Sequence, residues 1–210
     1  MQPRRYSLVR SDGAIWIDDT IGPGSVSASA LRRSLREIDP AGPVRVCLDT
    51  PGGSHDEGLA IYTALRESGH RIEVLIRSAF SMGAIIAMAG HVVRILPHGQ
   101  IGLHASRYSE GYVTDHAPPP GSALTASILR RLARGLSGTA STRQEAESIE
   151  RLAFSAEAAD ATHIDILARR SGLTRARLAE LRAAETVLNA EQAVAFGLAD
   201  EILSQEPLHG

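Results

Sequence analysis

The first hundred residues alternate short β-type apolar runs with segments of helical spacing, and this alternation restricts the fold more than any other feature. Ala14-Ile15-Trp16-Ile17, Val44-Arg45-Val46-Cys47-Leu48 and Ile72 to Ile76 read as strands. Between them run a helix capped by Ser25 or Ser27 and reaching Ile38, and a helix carrying Leu59, Ile61, Tyr62 and Leu65 before Gly69. A helix from about Ser81 to Ala89 follows, then short strands at Val92 to Leu96 and Ile101 to His104. Strands separated by whole helices pair in parallel, because a tight turn can join only antiparallel neighbours. The expected fold class is therefore α/β, a layered parallel sheet with helices packed on it.

The second half changes character. Tyr108 to Gly121 contains Pro118-Pro119-Pro120 and reads as an irregular loop, since successive prolines remove backbone donors and fix φ. Beyond it the pattern is helical over about Leu124 to Leu136, Arg143 to Arg170, Arg175 to Ala184 and Glu191 to Phe196, with a last strand around Asp200 to Leu203. A chain of 210 residues has the length of one domain. The expected organisation is a single domain, 1–210, with an atypical loop and helical insertion at about 106–150.

Composition removes whole chemistries. All 22 basic residues are Arg, so Schiff-base catalysis, a Ser-Lys dyad and the phosphate-loop lysine are excluded. The net charge of −2 is not that of a polybasic nucleic-acid binder. Cys47, the one cysteine, has no internal disulfide partner and lies in an apolar run, which predicts a buried, inert thiol in a reducing compartment. Met1-Gln2-Pro3-Arg4-Arg5 is followed by no apolar core of a secretion signal, and Gly83 to Val93 is far shorter than the roughly 18–20 residues a bilayer needs. The expectation is a cytoplasmic protein with no membrane segment. His91, His98, His104, His116 and Cys47 lack zinc spacing, and Gly22-Pro23-Gly24 lacks the third glycine of a dinucleotide loop, so no metal or cofactor is expected.

Three short motifs carry chemistry. In Asp49-Thr50-Pro51-Gly52-Gly53-Ser54 a strand turns into a helix through glycines that permit close backbone approach with N–H groups exposed, as an oxyanion site requires. Ser81-Met82-Gly83-Ala84 opens a helix directly after a strand, which puts a hydroxyl at the positive end of the helix dipole. Ser81 reads either as a nucleophile or as a plain helix cap. His104 ends a strand and reads as a general base or as a core histidine.

Taken together, these motifs resemble the proteolytic subunit of the Clp protease and its relatives, including the Clp-like head-maturation proteases of phages. The resemblance rests on Asp49 to Ser54 with Gly58-Leu59-Ala60-Ile61-Tyr62, on Ser81-Met82-Gly83-Ala84, and on Gly102-Leu103-His104. Glu185-Thr186-Val187-Leu188-Asn189-Ala190-Glu191-Gln192-Ala193 and Phe196-Gly197-Leu198-Ala199-Asp200 resemble its C-terminal signature. The resemblance implies a Clp-protease/crotonase-like layered fold of repeated ββα units with a mostly helical C-terminal part. It implies a serine endopeptidase with Ser81 as nucleophile, His104 as general base and acid, and the amides of Gly53 and Met82 as the oxyanion hole, with Gly52 beside them on the substrate edge. Glu185 stands where the Clp subunit has an Asp and is the candidate third member of the triad. The implied partners are a polypeptide substrate and a homo-oligomeric ring; an AAA+ unfoldase stays open, and neither nucleic acid nor membrane is expected. Two departures bear on this. The proline-containing segment after His104 replaces a glycine-rich strand, and His55 stands where a small apolar residue is usual.

Competing readings remain at this level. A crotonase-type acyl-CoA enzyme shares the architecture and would use Glu57 or Glu185 as acid or base. A non-catalytic ring scaffold would keep the glycines for structure alone. Ala168, Gly172 and Leu178 match helix-turn-helix spacing, with Arg169, Arg170, Arg175 and Arg177 nearby to meet phosphate. The same string also fits two packed helices ended and restarted by Gly172 and Thr174.

Overall fold

A computed structural model describes residues 8–39, 42–108, 124–135 and 140–203. The proline triplet and His116 lie outside the described residues. The described part divides into two compact units, one comprising the residues up to His104 with those from Ile166 onward, the other those from Ala105 to Asp165.

The first unit is built on a six-stranded sheet. Strands β1 (Ile15–Ile17), β2 (Val44–Thr50), β3 (Ile72–Phe80) and β4 (Val92–Gly102) lie side by side in chain order and all in parallel. The helices α1 (Ala28–Glu37), α2 (His55–Glu67) and α3 (Met82–Ala87) make the crossovers. This is the α/β parallel sheet that the alternation of patterns predicts. The pleat sorts the side chains: Ile15, Val46, Val74 and Val93 share one row, and Ile17, Leu48, Ile76 and Ile95 another, all of them buried. The row between them, Trp16, Cys47, Leu75 and Arg94, points to the opposite face. There Ala14, Trp16, Cys47 and Leu75 pack together, and the Arg10 guanidinium lies over the Trp16 ring.

The crossover helices α1 and α2 each start on a residue whose side chain accepts an otherwise orphaned amide. Ser27 caps α1 through Ala30 N–H, and Ser54 caps α2 through Glu57 N–H, with Asp56 and Glu57 in the first turn and Arg66 in the last, matching the helix dipole. Of the two cap candidates for α1, the structure selects Ser27.

The sequence pattern splits Val92 to His104 into two strands, whereas β4 is one strand with a deep bulge. Its register against β3 steps from Ile95–Ile76 to Gln100–Ser78, so that four residues including Pro97 and Gly99 oppose one. The chain then rejoins the same neighbour. The second half of β4 pairs antiparallel with β7 (Val187–Asn189), and its first half pairs parallel with β8 (Glu201–Ile202). Helix α7 (Ala190–Ala195) joins these two strands and begins on a full capping box between Asn189 and Gln192. Asp200 fastens the C-terminal part to the sheet, accepting Val93 N–H at 2.7 Å and the Arg170 guanidinium at 2.5 Å.

In the second unit β5 (Arg107–Tyr108) pairs antiparallel with β6 (Leu124–Thr125). Helices α4 (Ala126–Gly135) and α5 (Ala140–Arg170) bury Leu129, Ala133, Ile149 and Ala153 against each other. Arg130 grips Glu157 through two parallel bonds of 2.7 and 2.6 Å. The helix expected from Leu124 begins two residues late because Leu124 and Thr125 pair as a strand. Helix α6 (Arg175–Ala183) belongs to the first unit and starts on the Thr174 cap. The turn before it packs on the end of α7, with Gly172 N–H donating to Phe196 O at 3.2 Å, while Arg177 pairs with Glu180. Among the described residues no helix is long and apolar enough to cross a membrane.

Burial, assisted by the negative charge of Asp12, pushes the Cys47 thiol from 9.0 up to about 11. The folded state thus disfavours the thiolate, so this contribution to stability is complete below pH 9 and is lost as the pH rises through 11. Denaturant titrations should show wild-type stability falling over that interval and Cys47→Ala falling less, and iodoacetamide should alkylate the native thiol far more slowly than the unfolded one.

Candidate active site

Parallel strands with helical crossovers bring all their C-terminal ends to one edge, and the loops leaving that edge are where such sheets hold ligands. Here β2 ends at Thr50, β3 at Phe80 and β4 at Gly102, and they are followed by Gly52-Gly53, Ser81 and His104. The three motifs, distant in sequence, are neighbours in the sheet.

Ser81 sits in the single-residue turn between β3 and α3 with φ 55 and ψ −119, a conformation that L-residues avoid. Holding it there costs about 1–3 kcal/mol, supplied by the surrounding packing. Its N–H is anchored to Gly102 O at 2.9 Å, which ties the turn directly to the end of β4. Although it stands at the N-cap position of α3, its side chain makes no capping bond, so the half-buried hydroxyl is not used by the helix. Met82, the first helical residue, has no carbonyl one turn behind it to receive its N–H.

The Pro51-Gly52-Gly53 turn packs tightly on both sides. A Cβ on Gly52, where φ is 93, would lie 2.5 Å from Ser81 Cβ and 2.7 Å from Phe80 O. A Cβ on Gly53 would lie 2.1 Å from Ile21 O. Ile21 forms a parallel bridge with Gly53, donating its N–H to Gly52 O at 2.8 Å and accepting Ser54 N–H at 2.8 Å. In this pattern the bridged residue turns its own N–H and C=O away from its partner, so both groups of Gly53 face the opposite side of the turn. Gly52 N–H, by contrast, donates to Thr50 Oγ1 at 3.1 Å, and Thr50 in turn donates to Asp19 O at 2.7 Å. Gly52 therefore contributes clearance for Ser81, while the Gly53 amide is turned away from the Ile21 bridge.

His104 is half-buried two residues beyond β4. Glu185 stands two residues ahead of β7 and His104 two residues beyond β4; Gly102 pairs with Val187 and Leu103 N–H donates to Thr186 O at 2.9 Å, where the pairing of the two strands ends. Glu185 itself is exposed, with φ 51. It fills the left-handed position of a Schellman motif closing α6, in which Thr186 N–H bonds Leu181 O at 3.1 Å and Glu185 N–H bonds Arg182 O at 3.2 Å. Helices normally place glycine there.

Glu57, the alternative acid or base, has its carboxylate engaged elsewhere, accepting Ala28 N–H at 2.7 Å. Thr50 and Ile21 escape sequence reasoning as site residues, because a buried threonine and a loop isoleucine carry no chemistry of their own. Only the bonds that they make to Gly52 and Ser54 reveal them.

An α/β protein with its candidate site at the carboxyl edge of a parallel sheet is the class that the fold defines. A family model described as Clp protease matches residues 17–116 and 134–206. The ATP-dependent Clp protease proteolytic subunit 2 of Chlamydia trachomatis (serovar D) is 26% identical over 203 residues, 95% of this chain and 84% of that protein. The proteolytic subunit 1 of Protochlamydia amoebophila is 28% identical over 122 residues, covering 55% of this chain and 59% of the relative. That of Chlamydia felis is 32% identical over 103 residues, 47% of this chain and 51% of the relative. The chain belongs to the Clp protease family, a family of peptidases.

The packing at Gly52 has a measurable consequence. Gly52→Ala should destabilise the fold by about 2–4 kcal/mol, combining overpacking with an unfavourable φ. Gly22→Ala, where a Cβ meets nothing within 4 Å, should stay within about 0.5 kcal/mol of wild type in the same urea titration.

Proposed function

We propose that the chain is a serine endopeptidase of the Clp proteolytic-subunit type, working as a homo-oligomeric ring on extended polypeptides. The observation that carries this reading is the backbone of Ser81: a non-glycine residue held at φ 55, its hydroxyl unused by its helix, packed against the Gly52 turn. A scaffold would place a glycine there and avoid the strain.

In the proposed reaction a substrate strand lies along the outward-facing backbone of Gly53, so main-chain hydrogen bonds supply affinity and tolerate many sequences. Ser81 Oγ attacks the scissile carbonyl as His104 takes its proton. The resulting oxyanion is held by the N–H groups of Gly53 and Met82, each worth about 100-fold or more in rate. His104 then protonates the leaving amine, and water, activated by the same imidazole, releases the acyl group from Ser81. Glu185 orients His104. Its strained backbone supports this role, since a glycine would serve the Schellman turn better. The ATP dependence in the relatives' names leaves an AAA+ unfoldase as the partner to test.

Intact-mass detection of a fluorophosphonate adduct tests the reading. Wild type should gain one adduct, Ser81→Ala none, and His104→Ala should react slowly; wild type without an adduct would sink the proposal. Glu185→Gly separates the triad from the turn. It should stabilise the fold by about 1 kcal/mol by relieving the left-handed strain while lowering kcat about 100-fold through loss of imidazole orientation. Unchanged kcat in a stabilised Glu185→Gly would remove Glu185 from the mechanism.

A further inference from the structure

The Gly52-Gly53 turn is held from outside the catalytic groups by a closed circuit of hydrogen bonds, and one carboxylate joins its two halves. On one side, Ile21 bonds Gly52 and Ser54, and Gly22 N–H donates to Val26 O at 2.9 Å, curling the chain from Ile21 to the start of α1. On the other side, Ser54 caps α2 by accepting Glu57 N–H at 3.4 Å through Oγ and Gly58 N–H at 3.0 Å through its carbonyl. Glu57 Oε2 accepts Ala28 N–H at 2.7 Å and closes the circuit. Ala28 is the first residue of α1 and Glu57 lies in the first turn of α2, so a single negative charge serves the positive ends of two helices.

We infer that Glu57 is a positioning residue for the oxyanion site: by tying the start of α1 to the start of α2 it presses Ile21 against the turn and fixes the direction of Gly53 N–H. This rests on the peptidase reading above. Glu57 touches neither substrate nor reacting atoms, and it acts through the Ile21 bridge alone. The reason that this contact matters to rate is geometric. Gly53 has no side chain to anchor it, and its orientation depends on the two Ile21 bonds, which hold only while the segment from Ile21 to Ala28 stays in place. Misplacing a donor by about 1 Å costs on the order of 100-fold.

The test uses the full chain with two ligands, a peptide boronate that forms a tetrahedral adduct on Ser81 and an unreactive peptide of the same sequence. Glu57→Ala should lower kcat and boronate affinity by about 10-fold or more, and the affinity of the unreactive peptide, which shares the Gly53 edge but does not load its N–H with an oxyanion, by a clearly smaller factor. Glu57→Gln, whose amide oxygen can still accept Ala28 N–H, should recover most of the loss. Ala28→Pro removes the same bond from the donor side. It fits the first helical position, and the preceding Ser27 already has the extended φ −126 and ψ 158 that proline requires. Ala28→Pro should reproduce the Glu57→Ala phenotype, and the double variant should be no worse than either. It also serves if Glu57→Ala does not fold. Wild type that forms no boronate adduct would overturn the peptidase reading itself. Wild type that reacts, alongside folded Glu57→Ala or Ala28→Pro with unchanged kcat and boronate affinity, would overturn the role of Glu57. A uniform loss in both ligands would reduce Glu57 to a fold residue and overturn it equally.

Discussion

The approach of the end of β2 to the end of β3 governs everything at this edge of the sheet. Gly52 lies so close to Ser81 that no side chain fits between them, and the Thr50 hydroxyl holds the Gly52 amide while the Gly102 carbonyl holds that of Ser81. The parallel register delivers both turns to the same level, and the fully buried rows of Ile15 to Val93 and Ile17 to Ile95 make that register costly to change. A slip of one residue would expose both rows and part the two turns together. Stability and site geometry are therefore set by the same contacts.

Strain is concentrated where chemistry is proposed. Among the described residues, Ser81 and Glu185 are the non-glycine residues with positive φ, and each occupies a junction, one between strand and helix, the other between helix and strand. Neither residue gains by its own local preference. Each is held by neighbours: Ser81 by Gly102 and the packing of α3, Glu185 by the last carbonyls of α6 and by the β7 pairing that follows. Two carboxylates act differently. Glu57 and Asp200 work as fasteners, each accepting a backbone amide from another segment, and Asp200 also draws Arg170 onto the sheet.

Much of this was legible in the chain before any coordinates. The alternation of patterns dictates a parallel α/β sheet, Ser25 or Ser27 and Thr174 mark helix starts, and the loops carrying the three motifs fall at one edge because parallel strands end together. Less visible were β7, three residues inside a helical C-terminal pattern, and the single bulged β4, whose Pro97 and Gly99 read as an interruption. A three-residue strand has too few positions to show a period, and a bulge looks like a turn until the far side rejoins the same neighbour.

The sequence by itself determined the fold class and the residue types at the sheet edge, because periodicity, caps and glycines act over a few residues. The Clp protease resemblance followed from the same short motifs. Only the tertiary structure decided that the Gly52 amide is committed to Thr50, that Glu57 bridges two helices rather than standing as an acid, and that β7 is laid beside the end of β4. The last two depend on hydrogen bonds between segments far apart in the chain, whose partners and directions no local pattern encodes.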